Sequence, residues 1–305
     1  MSSQPKAPVC SPFVDFGREV CGDLPAASER EWLVTNGIGG FASGTIAGSL
    51  TRRYHGLLFA ALAPPAGRTL LVAKLDETAS YAGADYQLYA NRWSSGYVDA
   101  QARDYLERFR LEGTVPVWSF ALAEALLEKR VWMEHGANTT YVRYELVRGA
   151  QPVHLTLKAL VNYRDYHSQT HAGDWRMHVD RFGNGLRVIA YDSATPFYIL
   201  CDAAAPAPEH TWYRNFDLPQ ERARGLEDRE DHLHAATIEV DLPPGGTVTV
   251  VFTTDPKTSS HGSSALEALR ARERRLLAAW AAAQPAAAAA APDWIRQLVL
   301  AADQF

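Results

Sequence analysis

The chain has 305 residues, a formal net charge of −5 and 47% hydrophobic residues, enough for one large all-β core or two average domains. Acids and bases are mixed, with no basic arm or aromatic-basic stripe, which argues against a nucleic-acid partner. No apolar run reaches the roughly 18 residues that a membrane span needs, and the three cysteines, Cys10, Cys21 and Cys201, form no CxxC pair, so a reduced, cytoplasmic protein is expected.

The opening stretch "MSSQPKAPVCSPFVDFG" lacks the apolar core of a signal peptide, and residues 1–12 are expected to be disordered. Next come "EWLVT", a candidate strand, and "NGIGGFASG", in which Gly37 to Ala42 fits the dinucleotide pattern G-x-G-x-x-A. That fingerprint needs a helix after the glycines and an acid about 20 residues further on. "SGTIAGSLTRRYHGLL" has no helical stripe, and "FAALAPP" near residue 60 has no acid. No phosphate loop occurs either, so no nucleotide cofactor is expected. The glycines read instead as a permissive loop that feeds Arg52, Arg53, Tyr54 and His55. In a strand, Arg52 and Tyr54 would point one way, Arg53 and His55 the other. One pair could line a pocket while the other ties the loop down; a plain surface turn, its arginines paired with nearby acids, is the alternative.

From about residue 55 to 255 the chain is a series of strand-like runs, among them "HGLLFAAL", "RTLLVAKL", "TTYVRYELV", "VHLTLKALV", "GLRVIAY", "PFYIL", "ATIEVDL" and "TVTVVFTT". Val153, Leu155, Leu157, Ala159 and Val161 share one face, and His154, Thr156 and Lys158 the other. Turns "PPAG", "GNG" and "PPGG" separate the runs, and no helices alternate with them. The fold class expected is mainly β, a large antiparallel two-sheet sandwich.

The tail differs. "SSALEALRARERRLLAAWAAA" has Leu266, Leu269, Leu276, Leu277 and Trp280 at helical spacing, with Ser263 or Ser264 as N-cap. "QPAAAAAAP" reads as a linker. "DWIRQLVLAADQF" places Trp294, Ile295, Leu298, Val299, Ala302 and Phe305 on one face, with Asp293 as N-cap. Such a face needs a partner: either the helix folds back on the sandwich or a second domain begins here, and the helix is expected to be poorly anchored or to make a non-native contact with another copy of the chain.

"EWLVTNGIGGFASGTIAGSLTRRYHGLLFAAL" and "PPAGRTLLVAKLDE" resemble the opening of bacterial and archaeal glycogen debranching enzymes of the amylo-α-1,6-glucosidase type, as do "EKRVWMEHGANTTYVRYELV", "ALVNYRDYH" and "WYRNFDLPQERARGLEDREDHLHAA". The likeness covers roughly residues 13 to 305. It implies a galactose-mutarotase-like β-supersandwich at 13–260, a helix and linker at 261–292, and at 293–305 the first helix of an α/α-toroid that carries the catalytic carboxylates. The implied substrate is glycogen or a branched α-glucan, and the implied partner is the toroid; the chain alone is expected to be inactive.

Glycoside hydrolysis normally needs two carboxylates flanking the bond. Asp76-Glu77, Asp165, Glu227-Asp228 and Glu230-Asp231 form no convincing pair, and "EDRED" reads as a solvated loop, so no catalytic residue is assigned. "HSQTH" places His167 and His171 four apart without the Glu of H-E-x-x-H, so no metal is expected. "NYRDYH", read as a loop, offers Arg164, Asp165 and His167 with the flat faces of Tyr163 and Tyr166, a set suited to sugar hydroxyls and ring faces; an Arg164–Asp165 salt bridge is the plainer alternative. "WYRNF" has the same character but reads more readily as a loop anchor, and Trp32, Trp118, Trp132 and Trp175 as core. The substrate-binding candidates are therefore Asn36, Arg52, Arg53, Tyr54, His55, Arg164, Asp165 and His167. Two rival functions remain: a sugar mutarotase or epimerase using His55 or His167 with Glu77, and an independent glucan-binding module.

Overall fold

The computed structural model describes residues 13–304, so the expectations for residues 1–12, Cys10 and Phe305 lie outside the described residues. Two antiparallel sheets form the body. The first runs in the order Asp15–Phe16, Leu106–Glu112, Val115–Leu122, Ala125–Met133, Thr139–Arg148, Thr247–Thr253, Phe197–Cys201, Gly185–Ile189 and His178–Phe182. The second runs Ala207–Asp217, Arg229–Leu242, Val153–Asp165, Ala66–Tyr81, Gly56–Ala63, Phe41–Thr45 and Glu31–Thr35, with Ala84–Gln87 added beside Ala66–Tyr81. The mainly β, two-sheet antiparallel sandwich with C-terminal helices is the class the alternation predicts.

Alternation sets the core. In Val153–Asp165 the residues Val153, Leu155, Leu157 and Ala159 are fully buried and join the cluster between the sheets, while His154, Thr156 and Lys158 stay half-exposed on the other face. Trp32 and Trp118 are buried in this core, Trp175 is half-buried against it, and Trp132 is buried in a smaller cluster. Two smaller clusters lie outside the sheets. Leu50, Phe59, Leu70, Ala73 and Leu218, with Phe41 and Tyr166, form one on the outer side of the second sheet. Val115, Val117, Trp132, Tyr141 and Val251, with Ala265, Leu266 and Leu269 of the helix Ser263–Ala283, form the other. Cys21 and Cys201 are buried and unpaired.

Several local expectations are corrected. "NYRD" is the end of the strand Val153–Asp165, not a loop, and "WYRNF" belongs to the strand Ala207–Asp217. Glu230 and Asp231 of "EDRED" are buried in the strand Arg229–Leu242, because each has partners to hold its charge. The alanine run is a helix, Pro285–Ala290: alanine is the best helix former, and proline suits the first turn. Ser263 does not cap its helix; Gly262 holds that position with φ +64°, and Ser263 Oγ accepts from Arg143 Nη2 at 3.0 Å. Pro292, not Asp293, is the N-cap of Asp293–Ala302.

That last helix turns a different stripe inward from the one its apolar residues define. Trp294 and Leu298 are 43% and 55% exposed, whereas Leu300 is buried. It is also tied to the sandwich and to the helix Ser263–Ala283: Gln297 Nε2 donates to the Gly113 carbonyl at 3.0 Å, and Arg272 makes a two-pronged ion pair with Asp303, both bonds 2.8 Å. The poor anchoring expected from the apolar stripe is therefore corrected by polar contacts that a hydrophobic pattern does not register.

Candidate functional site

The glycine stretch is a hairpin loop. Glu31–Thr35 pairs antiparallel with Phe41–Thr45, so a strand, not a helix, follows the glycines. Asn36 is fully buried and organises the turn: its Oδ1 accepts from the amides of Ile38 (3.1 Å) and Gly40 (2.9 Å), and its Nδ2 donates to the Ala137 carbonyl at 3.0 Å. Gly39 has φ +100°, and a Cβ there would sit 2.5 Å from the Pro65 carbonyl oxygen. Arg68 Nε donates to the Gly39 carbonyl at 2.9 Å, and its guanidinium lies 5.5 Å from the centre of the Tyr166 ring.

Residues 52–54 form a turn, not a strand, closed by the His55 amide on the Arg52 carbonyl at 3.1 Å. The two-faced pattern survives in another form. Arg53 and His55 are buried; Arg52 and Tyr54 are half-exposed. Three ionic ties hold the turn. Arg53 Nη2 pairs with Glu221 Oε2 at 3.1 Å, and its backbone amide donates to Glu221 Oε1, also at 3.1 Å. Arg164 forks onto Glu230 through Nε and Nη2, and the same Nη2 donates to the Arg53 carbonyl at 2.6 Å. Arg52 Nε meets Glu31 Oε1 at 2.5 Å, and His55 Nε2 lies 3.3 Å from that oxygen. His55 Nδ1 accepts the Thr51 amide at 3.1 Å, which leaves the ring proton on Nε2, toward Glu31.

The electrostatics follow. The His55 imidazole 3.3 Å away and then Arg52 hold Glu31 down at about 2 against partial burial. Burial pushes the Glu230 carboxyl up, and Arg164 pulls it back. Burial, reinforced by the Arg164 charge, keeps His232 well below the ordinary imidazole range.

Above this buried layer sits a surface patch. Tyr54 Oη and His167 Nδ1 are 3.1 Å apart; the Tyr166 ring lies 3.8 Å from the His167 ring, tilted by 36°, and 6.0 Å from Tyr54. Arg53 Nη1 donates to the His167 carbonyl, and Asp165 Oδ1 accepts the His167 amide at 2.9 Å. Of the eight residues singled out from the sequence, Arg52, Tyr54, Asp165 and His167 reach solvent, while Asn36, Arg53, His55 and Arg164 lie beneath with their polar groups turned on the chain itself. The structure brings the two sequence segments together. It replaces the Arg164–Asp165 pair with Arg164–Glu230, keeps Tyr166 beside the patch as the sequence suggested, and adds Glu31, Arg68, Glu221 and Glu230. No periodicity signals a contact such as Arg53–Glu221, 168 residues apart; only the chemical need of a buried guanidinium for an acid could have prompted the search.

The carboxylates weighed for catalysis are all engaged. Asp76 pairs with Lys74 at 2.9 Å and accepts from Asn91 at 2.8 Å. Glu77, between the sheets, takes Lys129 and the Tyr144 hydroxyl rather than a histidine, so the His–Glu77 pair of a mutarotase is not assembled. Glu227 meets His171, Asp228 meets Arg222, and Asp231 accepts the amides of Ala172 and Asn215. Among the described residues no group of three or more His, Cys, Asp or Glu is placed to hold a metal. No helix among them is long and apolar enough to cross a membrane.

Fold and site thus define a mainly β antiparallel sandwich whose one loop cluster is locked by buried ion pairs. Residues 30–249 match the family described as glycogen debranching enzyme N terminal, and the chain belongs to that family. No curated protein matches it. Among solved structures it is similar to a bacterial glucoamylase complexed with acarbose, with 9% identity, a TM-score of 0.40, and coverage of 87% of this chain and 36% of that one. It is also similar to a GalM/aldose epimerase homologue from C. elegans, with 11% identity, a TM-score of 0.39, and coverage of 73% and 98%. The chain therefore spans about a third of the glucoamylase's length.

Proposed function

We propose that this chain is the non-catalytic, substrate-side domain of a cytoplasmic glycogen-debranching enzyme. A separate α/α-toroid would hydrolyse the α-1,6 branch of glycogen or limit dextrin. The sandwich, residues 13–260, would offer the loop cluster to the cleft between the two, and the helix from residue 293 would begin the toroid. Arg52, Tyr54, Asp165 and His167, with Tyr166, would meet sugar; Asn36, Arg53, His55 and Arg164 would hold them in place.

The observation that carries this reading is the Tyr54–Tyr166–His167 patch set on buried Arg53–Glu221 and Arg164–Glu230 pairs. Flat rings beside a phenol, an imidazole and a carboxylate are what a sugar ring and its hydroxyls require, and a rigid base fixes them before binding. The family supports the substrate class. The engagement of every weighed carboxylate supports a catalytic centre elsewhere.

Glucose release from limit dextrin tests it. The purified chain releases none above background, and a protein that joins it to a toroid does. Release by the chain alone, abolished by substituting one of its own carboxylates, would overturn the reading.

A further inference from the structure

A second cleft lies at the far end of the segment that begins at His167. It has a volume of about 650 Å³ and is lined by residues 173–180, His210, Trp212 and Leu233. Its floor is apolar, from Met177, Val179 and Leu233, all buried. Its walls carry two half-buried indoles. Trp175 and Trp212 have ring centres 5.8 Å apart and planes tilted by 34°. Both indole N–H groups are spent on the chain: Trp175 Nε1 donates to the Ala190 carbonyl at 2.9 Å, and Trp212 Nε1 to the Trp175 carbonyl at 3.1 Å. The rings are thereby held in fixed orientation, and what they leave to the cleft is ring face and edge. Around them stand Asp174, Arg176, His178 and His210, all exposed, and none makes a hydrogen bond or ion pair through its side chain within the described residues.

From this geometry we infer that the Trp175–Trp212 cleft is a second carbohydrate site, which takes a neutral α-glucan chain apart from the Tyr54–His167 patch. Oriented aromatic surface suits the C–H face of a sugar ring, and unengaged donors and acceptors suit its hydroxyls. The volume is in the range of small-ligand sites. Asp174 stands against Arg176, which is unpaired among the described residues, and Asp180 is paired with Arg187 at 3.2 Å, so the cleft carries no net positive charge to favour a phosphorylated sugar. The assignment of the glucan class rests on the functional reading above; the site itself rests on the cleft.

Native gels cast with glycogen test the inference, with gels cast with dextran as reference and maltoheptaose titrations for affinity. The chain should be retarded by glycogen only. Arg176→Ala and His210→Ala, at exposed positions, should keep the parent melting temperature and weaken binding by roughly tenfold each, the loss expected when a hydrogen bond to a charged or polar group is removed. Trp212→Ala should abolish retardation. Retardation equal to the parent in all three variants overturns the inference. So does no retardation together with no response to about 10 mM maltoheptaose, a concentration that would reveal even millimolar binding. Loss with His167→Ala but not with Arg176→Ala or His210→Ala would move the glucan to the loop cluster, which overturns the cleft and leaves the functional reading standing. Preference for glucose 1-phosphate over maltoheptaose overturns the neutral-glucan assignment.

Discussion

Tyr54 Oη lies 3.1 Å from His167 Nδ1, although 113 residues separate the two. The contact exists because Arg53, next to Tyr54, reaches Glu221 and the His167 carbonyl, and Arg164 reaches Glu230 and the Arg53 carbonyl. Every Arg164 nitrogen finds an acceptor, and Arg53 is held through both Nη groups with its Nε left unmet, so a buried guanidinium's need for acceptors specifies one arrangement of the two loops.

Removing half of a buried pair should therefore be costly. Arg164→Ala strands Glu230, whose side chain is only 2% exposed, and should destabilise the chain by about 3–5 kcal/mol in urea unfolding. The paired change Arg164→Met with Glu230→Leu should recover much of that. If Arg164→Ala costs under about 1 kcal/mol, the network is not a stability element.

The sheet class was legible because period-two alternation directly reflects burial, as in Val153 to Val161. The strands Leu106–Glu112, Val115–Leu122 and Ala125–Met133 were not: the two outer ones carry Arg108, Arg110, Glu128 and Arg130, whose charges pair across the sheet face, and the middle one is buried on both faces, so it shows no alternation. At the site, the sequence pointed to both segments but could not separate solvent-exposed groups from buried ones. Arg52 and Arg53 are neighbours of identical chemistry; one is half-exposed and the other buried because Glu221 lies beneath Arg53.

Glu31 should give the site an acid signature. Its pKa is held at about 2, below the ordinary 4.5. A depressed carboxylate contributes stability that is fully present above about 4.5 and is lost as pH falls through about 2. The side chain is 38% exposed, so after solvent screening the contribution is about 1 kcal/mol. His55→Ala should raise the Glu31 pKa toward 4.5 in a carboxyl NMR titration. An unchanged Glu31 titration would contradict the His55 contact.

Gly39→Ala places a side chain at φ +100° and 2.5 Å from the Pro65 oxygen. The expected loss is about 1–3 kcal/mol, seen as a lowered melting temperature. A neutral effect would mean that the 36–40 loop is not held against Pro65.

The terminal helix should contribute to stability. Leu300 is 5% exposed, and Leu300→Ala should cost about 2 kcal/mol or somewhat more. Leu298→Ala, at a 55% exposed position, should cost little. Equal effects at the two positions would contradict the observed packing of this helix.

The central claim is that the Tyr54–Tyr166–His167 patch faces substrate, and turnover tests it most directly. In a protein that joins this chain to its toroid, kcat/KM on branched limit dextrin should fall roughly tenfold or more for His167→Ala and for Tyr54→Phe, about 1.4 kcal/mol per decade. Both residues reach solvent, so the melting temperature of each variant should match the parent. Unchanged kcat/KM in both variants, at unchanged stability, would contradict the account and remove the patch from the active site.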